Sequence, residues 1–175
     1  MPPVLPFTAS AVLALGLVVP TAPLPASDRL IALRMAGLDI TVPASVNLGG
    51  ARMNGTISAH LGTVTVVDSR LLLASWVATV SATDFTRTGS PAAVIGKARV
   101  SYWSGPVTAA VGIAVRTPGQ PTAAAAQSLS SSRTAFTKQL GVLGTSTSWN
   151  PTLIVSVPDF AVAGTYTGTV THSVV

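Results

Sequence analysis

Apolar and polar residues alternate with a period of two along most of this chain, and from Leu38 onward the alternation never gives way to a helical period. Leu38, Ile40 and Val42 alternate with Asp39 and Thr41 until Pro43 ends the run. Ile57, Ala59 and Leu61 oppose Thr56, Ser58 and His60, and Val64 and Val66 oppose Thr63 and Thr65 ahead of an Asp68-Ser69-Arg70 turn. Trp76, Ala78, Val80 and Ala82 then share a face, with Thr79, Ser81 and Thr83 on the other. Each run predicts a strand with one side suited to a core.

The second half repeats the habit. Val100 and Tyr102 oppose Arg99, Ser101 and Trp103, Gly105-Pro106 breaks the chain, and Val107, Ala109, Val111, Ile113 and Val115 make the longest apolar face. Residues 117–133 read as a loop with one helical turn in its alanines. Short runs follow around Thr134–Thr137 and Thr145–Trp149, then Leu153, Val155 and Val157 before Pro158-Asp159. The last strand, Thr165 to Val174, sets Tyr166, Gly168, Val170, His172 and Val174 on one face against threonines and Ser173. Short strands separated by Gly, Pro and Ser/Thr turns predict an all-β fold, an immunoglobulin-like antiparallel β-sandwich in a single domain over residues 36–175. A closed barrel is the alternative.

Composition narrows the function classes. Apolar residues make up 48% of the chain, but many are Ala and Val mixed with Thr, Ser and Gly, which suits small-residue β-structure. There is no Cys, so neither a disulfide framework nor a thiolate metal site is available. The net charge of +5 favours anionic surroundings. The arginines are spread one per segment without interleaved aromatics, which argues against nucleic acid. An anionic cell wall fits the charge without any sequence readout, and the competing explanation is an arginine excess that only solubilises. Ala11 to Val19 form an apolar run followed by Thr21-Ala22-Pro23-Leu24-Pro25-Ala26-Ser27, the pattern of a secretory signal peptide over residues 1–26, although Met1–Val4 carry no Lys or Arg. The run is too short to span a membrane, so the mature form is expected to be secreted without a span, with residues 27–35 as a connector.

The segment Ser148-Trp149-Asn150-Pro151-Thr152-Leu153-Ile154-Val155-Ser156-Val157-Pro158, followed by Ala163-Gly164-Thr165-Tyr166-Thr167-Gly168-Thr169-Val170-Thr171, resembles the distal motif of the WxL surface proteins of Gram-positive bacteria. Leu61 to Arg70, leading into Ser75-Trp76-Val77-Ala78, resembles the proximal one, and the small-residue composition is similar to secreted WxL-like proteins of actinobacteria. The family's two tripeptides stand here as Trp76-Val77-Ala78 and His172-Ser173-Val174. The resemblance implies an exported β-sandwich that associates non-covalently with peptidoglycan or partner surface proteins. Alternation puts the motif positions Trp76, Tyr166 and His172 on inward faces, as packing groups.

Catalytic chemistry has few residues to use. His60 is expected to face solvent and His172 to be buried, neutral and hydrogen-bonded, and no nucleophile elbow accompanies either. Asp68 and Asp84 are the carboxylate pair to test for glycoside hydrolysis, yet Asp68 and Asp159 look like turn residues and Asp84 a strand end bonded to its own backbone. No metal site and no cofactor are expected, and the protein is read as non-enzymatic. Exposed aromatics beside a cation remain as wall-contact candidates: Trp103 with Arg99 next to the Gly105-Pro106 turn, and Trp149 at a strand start. Trp103 capping one end and Trp149 packing beneath the long loop are the competing placements. The expected partners are a cell-wall polymer or other surface proteins, the latter engaged through a last strand whose outer face is a threonine ladder lacking protective Lys.

Overall fold

The computed structural model describes residues 7–14, 37–70, 73–89 and 91–175. Within them the chain is nearly all β. In order, the strands are β1 (Phe7–Ala14), β2 (Leu38–Thr41), β3 (Thr56–His60), β4 (Val64–Asp68), β5 (Ala74–Ala82), β6 (Phe85–Arg87) and β7 (Val94–Ile95). There follow β8 (Val100–Trp103), β9 (Val107–Pro118), β10 (Gln127–Ser128), β11 (Arg133–Trp149), β12 (Thr152–Ser156) and β13 (Tyr166–Val174). The alanines of the long loop form a single 3-10 turn, Ala123–Ala125, as their run predicts.

All pairings are antiparallel and fall into two sheets. The smaller has the order β10-β8-β12-β3. The larger is built on β11, which carries β9 along one edge and β4 and β5 in succession along the other: Thr147 lies between Ala110 and Val66, and Lys138 between Arg116 and Trp76. β2 extends β4, and β13 pairs with β5 and β6. Inward residues of both sheets meet in one core, with Trp76, Ala78 and Val80 of β5, Phe136 and Trp149 of β11 and Val170 of β13 facing Val100, Tyr102, Leu153 and Val155.

Three departures from the pattern-based expectations matter. The short runs at Thr134–Thr137 and Thr145–Trp149 belong to one strand of 17 residues, β11, whose register shifts between Lys138 and Gly141 and again between Val142 and Ser146. Bulges of this kind break the period-two signal without ending the strand. The apolar face of β9 does not enter the core: Val111, Ile113 and Val115 are exposed, Ile113 by 81%. Phe7–Ala14, the front of the stretch expected to be a leader, run as a strand along β13 from Thr167 to Val174. The rest of that leader and the connector 27–35 lie outside the described residues.

Candidate functional site

Two of the positions that carry the resemblance, Trp76 and His172, lie in the core. Trp76 and Trp149 stack with ring centroids 6.4 Å apart, and Phe136 stacks on Trp149 at 4.9 Å. Trp149, proposed from sequence as a wall contact, has 0% of its surface exposed and is therefore a packing group, because alternation along the last turns of β11 puts it inward with Thr147. Its Nε1 donates to Tyr102 Oη at 3.2 Å, and Tyr102 Oη lies 3.1 Å from Nε2 of His172. Tyr102 Oη thus accepts from Trp149 and shares a second hydrogen bond with His172, whose direction is set by the imidazole tautomer. Burial pushes His172 down to about 4 and raises Tyr102, the latter against the hydrogen bond from Trp149. His172 is thus buried and hydrogen-bonded, as alternation predicts, and stays neutral near pH 7. Tyr166 is half-buried, its hydroxyl donating to the Val162 carbonyl at 2.8 Å.

Asp68 is not a solvated turn residue. It ends β4 inside the protein, with Lys138 Nζ at 2.6 Å and a bidentate Arg70 at 2.7 and 2.8 Å. Lys138 is itself only 1% exposed and also reaches Thr145 Oγ1 at 3.3 Å. Burial raises the Asp68 carboxyl, but the hydrogen bonds from Arg70 and Lys138 outweigh it and hold the pKa at about 2. A side chain at Gly141 would collide with Lys138 Nζ, so glycine at this position makes room for the ammonium group. This carboxylate is committed to an ion pair, and Asp84 is spent elsewhere: its Oδ1 accepts the Lys97 amide at 2.7 Å, a more distant partner than its own backbone. Asp68 is thus closed off from solvent, whereas Asp84 is exposed. Among the described residues no three His or Asp come together as a metal site.

The outer face of the smaller sheet collects the polar and aromatic candidates that do reach solvent. Thr152 lies between Trp103 and His60 across the strands, and Ile154 lies between Ser101 and Ser58. Thr152 Oγ1 and His60 Nδ1 are hydrogen-bonded at 3.0 Å. Trp103 is half-buried, and its ring packs near Gly105, whose φ of 72° no side chain would favour. A Cβ at that glycine would meet both the Trp103 ring and the Asn150 carbonyl, each at 3.6 Å. Asn150 Oδ1 and Gln120 Oε1 have no hydrogen-bond partner among the described residues. Arg99 precedes this sheet at the far end of β8; it is exposed and its guanidinium sits 5.8 Å from the ring centroid of Phe160. The structure therefore leaves Trp103 and Arg99 at the surface, at opposite ends of one strand, and removes Trp149.

Sequence reasoning did not single out Tyr102, Lys138 or Gln120. A lone Lys at the alternate position between Phe136 and Leu140 is the one signal that could have marked the ion pair, and the partnership of Tyr102 with His172 spans 70 positions that no local pattern connects. No protein-family model, curated protein or solved structure matches this chain.

Proposed function

We propose that this chain is an exported, non-enzymatic surface protein with an immunoglobulin-like β-sandwich of WxL type, which associates non-covalently with cell-wall polymer through the outer face of the smaller sheet. The observation that carries the reading is the pair Trp103 and His60, which flank the buried Thr152 on that face, Thr152 Oγ1 holding His60 Nδ1 at 3.0 Å. An aromatic ring beside hydroxyl and imidazole groups can stack on a sugar and hydrogen-bond its hydroxyls. The basic charge of the chain adds attraction to an anionic polymer. The test is co-sedimentation of the protein with purified, lipid-free cell walls at low and high salt. Retention that weakens with salt, and weakens further in Trp103→Ala, is the expected result. Absence of retention at low salt, or full retention in the variant, overturns it.

A second reading has its own observation. β9 has no strand partner along its outer edge among the described residues, and its outward side chains Val111, Ile113 and Val115 are exposed. A long apolar edge of this kind is a template for pairing with another chain. On this reading the protein is a subunit of a surface assembly, and sedimentation velocity shows association that Ile113→Lys removes. A monomer at every concentration, alone and with wall extract, sinks it.

A further inference from the structure

A cleft of about 530 Å³ opens between the two sheets at the end where β3 begins and β6 ends. That volume suits one small-molecule ligand. Its floor is made by inward side chains of both sheets, Ile57 and Val155 from the smaller, Phe85, Ile95 and Tyr166 from the larger. Loops 47–55 and 157–165 form its two walls. They are tied at their bases, where the Val157 amide donates to the Gly55 carbonyl at 2.9 Å. The second wall is braced by Arg87, whose Nε donates to the Ala163 carbonyl at 2.8 Å, and by the Tyr166 hydroxyl on Val162. These bonds fix the walls of the cleft, which lowers the ordering cost of filling it.

The side chains that line the cleft are apolar apart from those of Arg52 and Tyr166. The Tyr166 hydroxyl is committed to Val162, and Arg52 is the single charged residue among those that line the cleft. Arg52 is exposed, and its side chain makes no hydrogen bond or ion pair among the described residues; Met53 beside it is 64% exposed, a flexible apolar side chain at the entrance. The acidic residue on the opposite loop, Asp159, is exposed to solvent. An occupant of matching chemistry is apolar along its length, because most of the lining is apolar and buried polar atoms would find few partners there. It is anionic at one end, where Arg52 stands.

We infer that this cleft binds the hydrocarbon chain of an anionic amphiphile, a long-chain carboxylate or alkyl phosphate, with the chain between the sheets and the head at Arg52. The inference does not depend on wall association, since it concerns the opposite, inward side of the smaller sheet. Isothermal titration of the full chain tests it with dodecanoate, dodecyl phosphate, dodecyltrimethylammonium and dodecanol, each below its aggregation concentration. The expected result is one-to-one binding of an anionic probe, with the cation at least about tenfold weaker, and a preference between dodecanoate and dodecyl phosphate names the head. Arg52→Gln weakens the anionic probe about tenfold and leaves dodecanol unchanged, and Ala161→Trp, which fills the cleft from its wall, abolishes both. Both substitutions lie on loops, and thermal melting of each variant shows that it is folded. No heat with any probe, equal affinity for cation and anion, or undiminished binding in Ala161→Trp overturns the inference.

Discussion

Strands β5 and β9 run along opposite sides of β11, carry the same apolar alternation, and end in opposite environments. In β5 the larger side chains Trp76 and Val80 point at the smaller sheet and are buried. In β9 the positions on the inward face are Ala110, Ala114 and Arg116, aligned with the inward Thr147 and Lys138 of β11, and Val111, Ile113 and Val115 point outward; only Val107, opposite Trp149 beyond a register shift, packs against the core. Arg116 folds along the strand, its guanidinium bonded to Thr147 Oγ1 at 2.9 Å and to the Val111 carbonyl at 2.6 Å. Alternation sets which residues share a face; which face turns inward is decided by what lies opposite. The centre on the β5 side is filled by Trp149, Phe136 and Tyr102, and β9 has no comparable counterpart to pack against.

The comparison is sharpest where β11 itself is cut. Trp149→Ala removes the ring that stacks on Trp76 and Phe136, and a loss of about 3–5 kcal/mol in urea unfolding is expected. Lys138→Met strands the buried Asp68 with Arg70 alone and costs about 3–5 kcal/mol, whereas combining it with Asp68→Leu restores most of that loss. A double variant no more stable than Lys138→Met would show that the ion pair is favourable in its own right.

Acid tests the same buried side. The folded-state pKa of His172, about 4, lies below its ordinary 6.5, so between those values the unfolded chain takes up the extra proton. Stability is therefore complete above pH 6.5 and declines toward pH 4, by about 3 kcal/mol in all. Asp68, held at about 2 against 3.8, adds a second loss that begins below pH 3.8 and is complete near pH 2. Urea melts at steps from pH 7 to pH 4 measure the first window, and His172→Gln should flatten it. A wild-type curve already flat there would mean that the imidazole is reached by solvent.

Much of the fold was legible because one-sided burial writes itself into a period of two. The faces of β2, β3, β8 and β13 follow their alternation, with Ile40, Val100, Tyr102, Val170 and Val174 inside and Asp39, Ser58 and His60 outside. Bulges hid the continuity of β11, since an extra residue shifts every later side chain by one face. The Asp68–Lys138 pair also stayed hidden, because the two are 70 positions apart and meet only once the strands pair. Of the surface candidates, Trp103 and Arg99 could be placed from strand parity, while the cleft at Arg52 could not. Its walls are loops, and loops carry no periodic signal.

The smallest expected effect separates the two strands most cleanly, because one substitution can be made in both. Val80→Thr in β5 places a hydroxyl at a site with 0% exposure, where desolvation costs about 1–3 kcal/mol. Val115→Thr in β9 changes a side chain that is 53% exposed, and the stability change should stay within about 0.5 kcal/mol. Paired urea titrations of the two variants measure the difference directly. If Val115→Thr costs as much as Val80→Thr, the outward face of β9 is covered in solution, by a second chain or by residues of this one outside those described. A concentration dependence of the Val115→Thr effect would then identify the cover as another copy, because only self-association makes unfolding depend on protein concentration.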